Sequence, residues 1–185
     1  MRAMPQPNAR PRFALARKRA NLLLEAVGAG GPPTPLEQIA RSIGAAVRYQ
    51  PFQGELSGVA HREKGREGII GVNSLHAKTR QRFTIAHEIG HLVMHESEDL
   101  HVDERFPIGF RNELSGLAVS PSEIEANQFA AELLMPLAWI AEDVRTLHID
   151  FESEAAIVTL AKRYDVSVQA MTIRLSSLGI LAHSS

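Results

Sequence analysis

The sequence predicts an α+β fold in which helices flank a small group of strands. Apolar residues recur at helical spacing through both ends of the chain. Three short runs in between, Ala46 to Tyr49, Leu56 to His61 and Ile69 to Asn73, read as strands. Glycine and proline clusters separate these pieces, and no repeat or low-complexity stretch interrupts them. With 185 residues, 44 % hydrophobic and 22 % charged, the chain has the size and balance of one globular domain. We expect a flexible basic tail over residues 1–11 and a single compact domain over 12–185, its last part a helical module at about 153–181.

Arg12 to Val27 carries Phe13, Ala16, Ala20, Leu23, Leu24 and Val27 at helical spacing, and the Gly28 to Pro33 cluster stops that helix. Thr34, Pro35 and Glu37 form the signature of a capping box that opens a short helix ending at Gly44. The second and third strands are separated by a hairpin-like turn at Glu63 to Arg66. A helix is expected from about His76 to His95. Glu96 to Ser120 shows no period and reads as a long acidic loop, a feature usually functional or mobile. Ser120, Pro121 and Glu123 form a second capping box, whose helix Pro136 ends. Two further helical patterns, Glu154–Tyr164 and Ser167–Leu178, have the spacing of a helix-turn-helix. Arg174 is the only basic group on the second, too few for a recognition helix, so the pair reads as a packing or protein-docking module.

Composition narrows the chemistry. There is no cysteine, which removes disulfides, thiolate metal sites and thiol nucleophiles. The net charge of −1 gives no global attraction to nucleic acid or membrane. No apolar run approaches the ~18–20 residues of a membrane span. The basic first 20 residues lack an apolar core of signal-peptide length. A cytoplasmic protein is the expectation. That basic segment is also a candidate for nucleic acid acting as an activating ligand, although most such runs are solvated tails.

The sharpest feature is His87-Glu88-Ile89-Gly90-His91, an HExxH motif. Two histidines four apart on a helix share one face and can reach one ion. A catalytic zinc site needs a third protein ligand and an open position, and Glu88 is placed to act as the base on a water there. A pair of ordinary helix histidines is the plainer reading. It fits poorly in a segment whose Phe83, Ile85, Ala86, Ile89, Leu92 and Val93 demand burial. His95 lies ~12 Å of helix rise from His87, too far to share its ion, and is expected to face the negative helix end. The third ligand is therefore expected on the second capped helix, where the candidates are Glu123, Glu125 and Glu132. Glu123 is accounted for as the capping-box carboxylate, and Glu125 shares its helix with the small Ala126, Ala130 and Ala131. These points do not separate Glu125 from Glu132.

Arg80 to His91 (RQRFTIAHEIGH) followed by Glu125 to Pro136 (EANQFAAELLMP) resembles the ImmA/IrrE family of metallopeptidases, as do Leu56-Ser57-Gly58, Ile69 to Asn73, Leu160 to Ser167 and Met171 to Gly179. The resemblance covers roughly residues 34–181. It implies a zincin-like core, a small and mostly antiparallel sheet packed on the HExxH helix and the Glu-ligand helix. N-terminal helices and a C-terminal helix-turn-helix-like pair flank that core. It further implies that His87, His91 and Glu125 hold zinc and that Glu88 is the catalytic base. The implied reaction is hydrolysis of a peptide bond, cutting a partner helix-turn-helix repressor once in a stress, mobile-element or defence response. Manganese is the alternative ion, because a two-His, one-carboxylate site admits several.

The step from His91 to Glu125 is long for that family. Its Glu96–Ser120 loop supplies a candidate latch, with His101 or Asp103 on the open metal position, against the plainer reading of a solvated loop. For substrate, an extended peptide pairing with an edge strand is expected along Gly54 to Ala60, through Gly54, Leu56 and Gly58. Tyr49, His148 and Arg80 are the candidates to stabilise an oxyanion. Two other classes compete: a non-proteolytic binding partner (an antitoxin or repressor cofactor) with a structural metal, and a DNA-binding regulator. Glu88→Gln separates the first from a protease, and salt-dependent duplex binding would reveal the second.

Overall fold

The computed structural model describes residues 10–54, 56–63, 65–95, 100–103, 120–147 and 154–181. Along the chain these form α1 (Phe13–Ala26), α2 (Leu36–Ser42), β1 (Ala45–Gln50), β2 (Gly58–His61), β3 (Gly68–Asn73), α3 (Lys78–Met94), β4 (Leu100–Asp103), α4 (Pro121–Leu134), α5 (Leu137–Thr146), α6 (Glu154–Tyr164) and α7 (Val168–Ser177). The expected α+β class holds. Among the described residues, no helix is long and apolar enough to cross a membrane.

The sheet has the order β1-β3-β2-β4 and is mixed. β1 runs parallel to β3, whereas β2 is antiparallel to both β3 and β4. α3 packs across β2 and β3 on one side and against α4 on the other, and α1 lies on α4. One apolar cluster joins these layers: Ile70 and Val72 of β3, Ile85 and Ile89 of α3, Phe129 and Leu133 of α4, and Ala16, Ala20 and Leu24 of α1. It extends through Leu160, Tyr164, Met171 and Leu175, so α6 and α7 share the core. The helix pair is a packing module: Arg174 is buried, and its guanidinium donates to Glu132 Oε2 at 2.6 Å and to the Met135 carbonyl at 3.0 Å.

α3 and α4 approach closely because Gly90 faces Ala126. A Cβ at Gly90 would lie 3.2 Å from Ala126 Cα and 3.1 Å from Phe129 Cδ1, so a larger residue would push the two helices apart at this crossing. This contact brings α4, and the acids on it, over the two histidines of α3.

Several sequence expectations change. Thr34 does not cap α2; its buried hydroxyl donates to the Leu133 carbonyl at 2.8 Å, tying the α2 entry to the end of α4. Pro136 ends α4 but also opens α5, which the sequence reading omits, with buried Ile140 anchoring it. Strand β4 lies within the stretch read as a loop without structure. Within the Gly54 to Ala60 segment, Gly58 to Ala60 have no free edge, because β2 is paired on one side with β3 and on the other with β4. The expected tail over 1–11 lies outside the described residues except for Arg10 and Pro11.

Candidate metal centre

α3 carries its motif on a fully buried stretch: His87, Glu88 and His91 are at most 2 % exposed. One helical turn sets the two imidazoles side by side, with Nε2 to Nε2 at 3.0 Å. Glu123, on the first turn of α4, meets both: its Oε2 is 3.3 Å from His87 Nε2 and its Oε1 3.3 Å from His91 Nε2. Among the described residues, these three form the group able to hold an ion.

Their spacing suits a metal. Tetrahedral ligands at ~2.0–2.1 Å from zinc lie about 3.3 Å from each other; the two imidazole nitrogens are 3.0 Å apart, and each has one Glu123 oxygen at 3.3 Å. The chemistry suits it as well: two imidazole nitrogens and one carboxylate oxygen are a common zinc donor set. Asn127, one turn beyond Glu123, places its Oδ1 3.0 Å from His87 Nδ1. With the Nδ1 proton directed to that oxygen, His87 Nε2 presents its lone pair to the centre. Burial disfavours ionisation of Glu123, but its hydrogen bonds and charge contacts with His87 and His91 outweigh burial and hold the carboxyl below the usual range. It is the ionised form that a cation needs.

The structure brings Glu123 to the histidines and not Glu125, the residue expected there. Two residues along a helix turn the side chain by ~200°, so Glu125 points elsewhere. Its buried carboxylate accepts from the Arg12 backbone N–H at 2.7 Å, from Arg12 Nε at 2.9 Å and from Arg12 Nη2 at 2.7 Å. His95 Nε2 lies 3.7 Å from the same carboxylate, so His95 faces Glu125 on α4. Burial pushes the Glu125 carboxyl up and Arg12 pulls it down further, leaving it lowered. Glu132 is taken by Arg174 and Arg17. Glu123 does begin as a capping residue, since its N–H donates to Ser120 Oγ at 3.3 Å, but its carboxylate reaches the histidines.

Glu88 lies on the sheet side of the motif. A Cβ built on Gly58 would fall 3.0 Å from Glu88 Oε1 and 2.3 Å from Thr84 Cγ2, so β2 runs against the carboxylate with no room for a side chain there. Leu56 and Gly58 thus lead into or lie on the strand nearest Glu88, whereas Gly54 sits in a turn with φ of 72°. His101 and Asp103 lie on β4 opposite Ala60 and Gly58; their side chains, and with them the latch, lie outside the description, as does His148. Arg80 donates to the Ser57 hydroxyl at 2.8 Å, beside the entry to β2. Tyr49 is spent elsewhere: it donates to Glu37 at 2.7 Å, and burial together with that carboxylate pushes its hydroxyl up to about 12.

Asn127 and Arg12 were not singled out from the sequence. For Asn127 a signal existed: Glu123, Ala126, Asn127 and Ala130 have the i, i+3, i+4, i+7 spacing of one helix face. For Arg12 there was none, because its contact joins residues 113 apart.

Comparison with known proteins gives the family. Residues 40–176 match the model of the Peptidase M78 family, described as the IrrE N-terminal-like domain. The chain is 30 % identical over 174 residues to the radiation response metalloprotease IrrE of Deinococcus deserti, covering 93 % of this chain and 56 % of that protein. It is 33 % identical over 108 residues to the protein of the same name from Deinococcus radiodurans, covering 58 % of this chain and 30 % of that one. The chain thus spans about half the length, or less, of these curated relatives. Among solved structures it is similar to a Mycobacterium tuberculosis transcriptional regulator, with a TM-score of 0.48 and 18 % identity over 93 % of this chain and 52 % of that chain.

Proposed function

The chain belongs to the Peptidase M78 family, the ImmA/IrrE metallopeptidases, and from that premise we propose that it is a zinc-dependent endopeptidase with a zincin-like core. The observation that carries this is the convergence of His87, His91 and Glu123 beside a buried Glu88 that lies against β2. His87, His91 and Glu123 would hold the ion, with manganese as the alternative occupant. When bound, zinc supplies Lewis acidity and a water made acidic near neutral pH. Glu88 takes the proton of the attacking water and passes it to the leaving amine, so that the peptide bond is hydrolysed without a covalent intermediate. Asn127 keeps His87 in the tautomer that presents Nε2 to the centre, and the buried surroundings of α3 strengthen each of these interactions.

The substrate class follows from the family resemblance: a partner helix-turn-helix repressor, cut at one site inside the cell. The test is to incubate the zinc-loaded chain and its Glu88→Gln variant with a candidate repressor and map any product by mass spectrometry. A single cut made by the wild type alone, with zinc content equal in the two, is the expected result. Equal effect of Glu88→Gln and wild type on the repressor, without cleavage, would replace the peptidase with a binding partner.

A further inference from the structure

β2 is the strand nearest the base, yet both its sides are already paired. We propose that β4 is an intramolecular occupant of a peptide-binding edge, held on β2 where an extended substrate segment would otherwise lie; this rests on the peptidase reading above. Gly58 touches the Glu88 region, and in the β2–β4 register Gly58 stands opposite Asp103, Val59 opposite Val102, Ala60 opposite His101 and His61 opposite Leu100. Directly opposed residues of an antiparallel pair lie ~4.5–5.5 Å apart between Cα atoms. The backbone of β4 therefore passes within one strand spacing of the residue that abuts the carboxylate.

An incoming strand gains affinity from main-chain hydrogen bonds, which any extended peptide can make. β4 makes those bonds first. It is four residues long and stands at the end of the sheet order, whereas β2 is held from the other side by β3. A strand this short is marginal on its own, so β4 is the element that can leave without dismantling the sheet. The ligand class that displaces it is an unfolded, extended protein segment, which excludes a folded helix as the form of the cut site. The protein would then rest in a self-covered state and act only on a chain that outcompetes its own strand.

The experiment uses the full zinc-loaded chain and the double substitution His101→Pro with Val102→Pro. Of these two adjacent residues one directs its N–H toward β2, and proline removes it. Three readouts are taken: hydrogen exchange of residues 58–61, anisotropy of a fluorescent peptide copying residues 98–106, and cleavage of unfolded β-casein. Slow exchange at 58–61 in wild type, faster exchange in the variant, and roughly tenfold tighter peptide binding and faster casein cleavage by the variant are expected, if the open form is about a tenth of the wild-type population. Fast exchange at 58–61 in wild type overturns the proposal without needing the variant. Peptide binding unchanged or weakened in a variant still folded by circular dichroism also overturns it, a weakening meaning that β4 itself receives the substrate. Tighter peptide binding with no casein cleavage by either protein supports the covered edge, and the repressor cleavage assay above then decides the peptidase reading, so the two fail separately.

Discussion

Replacing Gly90 by alanine should disturb the candidate centre without touching any of its ligands. Gly90 lies between His87 and His91, at the point where α3 crosses α4. Its added Cβ would stand 3.1 Å from Phe129 Cδ1, 3.2 Å from Ala126 Cα and 3.3 Å from the Ala126 carbonyl oxygen. Carbon atoms pack at ~3.5–4.0 Å, so α4 should retreat by a few tenths of an ångström, since two of the three neighbours are backbone and Phe129 is fully buried. Overpacking of this kind costs about 1–3 kcal/mol, against about 1 kcal/mol gained from the better helix propensity of alanine. The net expectation is a destabilisation of about 1 kcal/mol. Glu123 rides on α4, and metal sites tolerate about 0.2 Å in ligand position, so zinc affinity should fall by about tenfold or more. Urea unfolding gives the first quantity and competition with a chromophoric chelator the second. Gly30→Ala is the control, because a Cβ there meets nothing within 4 Å. Unchanged zinc affinity in Gly90→Ala, with stability equal to wild type, would refute the claim that this crossing sets the site.

Asn127→Ala should weaken zinc binding by about 10–100-fold, the usual cost of losing the group that orients a ligating histidine, while Asn127→Asp retains it; chelator competition decides. The Arg12–Glu125 pair should make stability depend on pH. The Glu125 carboxyl is lowered in the folded chain, so its contribution is present above the unfolded carboxylate range near ~4.3 and is lost as pH falls through and below it. In Arg12→Ala the urea midpoint should therefore be lower than wild type at pH 7, and the gap should close below about pH 4; a gap constant down to pH 3 would contradict this. The gap is modest because half of the Arg12 side chain is exposed.

The elements that a local pattern dictates were legible. α3 and its motif, the cap at Ser120 and the paired C-terminal helices follow from spacing and capping chemistry, because each depends on neighbours within a few residues. The carboxylate that meets the histidines was misread for an instructive reason. Explaining Glu123 as the capping-box carboxylate assigned that carboxylate to the cap, whereas in the structure it is the Glu123 N–H that bonds Ser120 and the carboxylate meets the histidines. Ala126 does meet α3 at Gly90, but it shares its face with Glu123 and not with Glu125. What could not be read was non-local: Thr34 reaching Leu133, Arg12 reaching Glu125, and β4 closing the side of β2. Each joins residues at least 39 apart, and the composition of a four-residue strand inside an acidic loop carries no period to reveal it.

The central claim is that His87, His91 and Glu123 together bind one ion. The most direct measurement is zinc content by elemental analysis of wild type, Glu123→Ala, Glu125→Ala and Glu132→Ala after zinc loading at neutral pH, each confirmed as folded by circular dichroism. The account predicts about one zinc per chain in wild type, retained in Glu125→Ala and Glu132→Ala and lost in Glu123→Ala. Loss in Glu125→Ala with retention in Glu123→Ala would contradict it, as would a wild type that holds no metal.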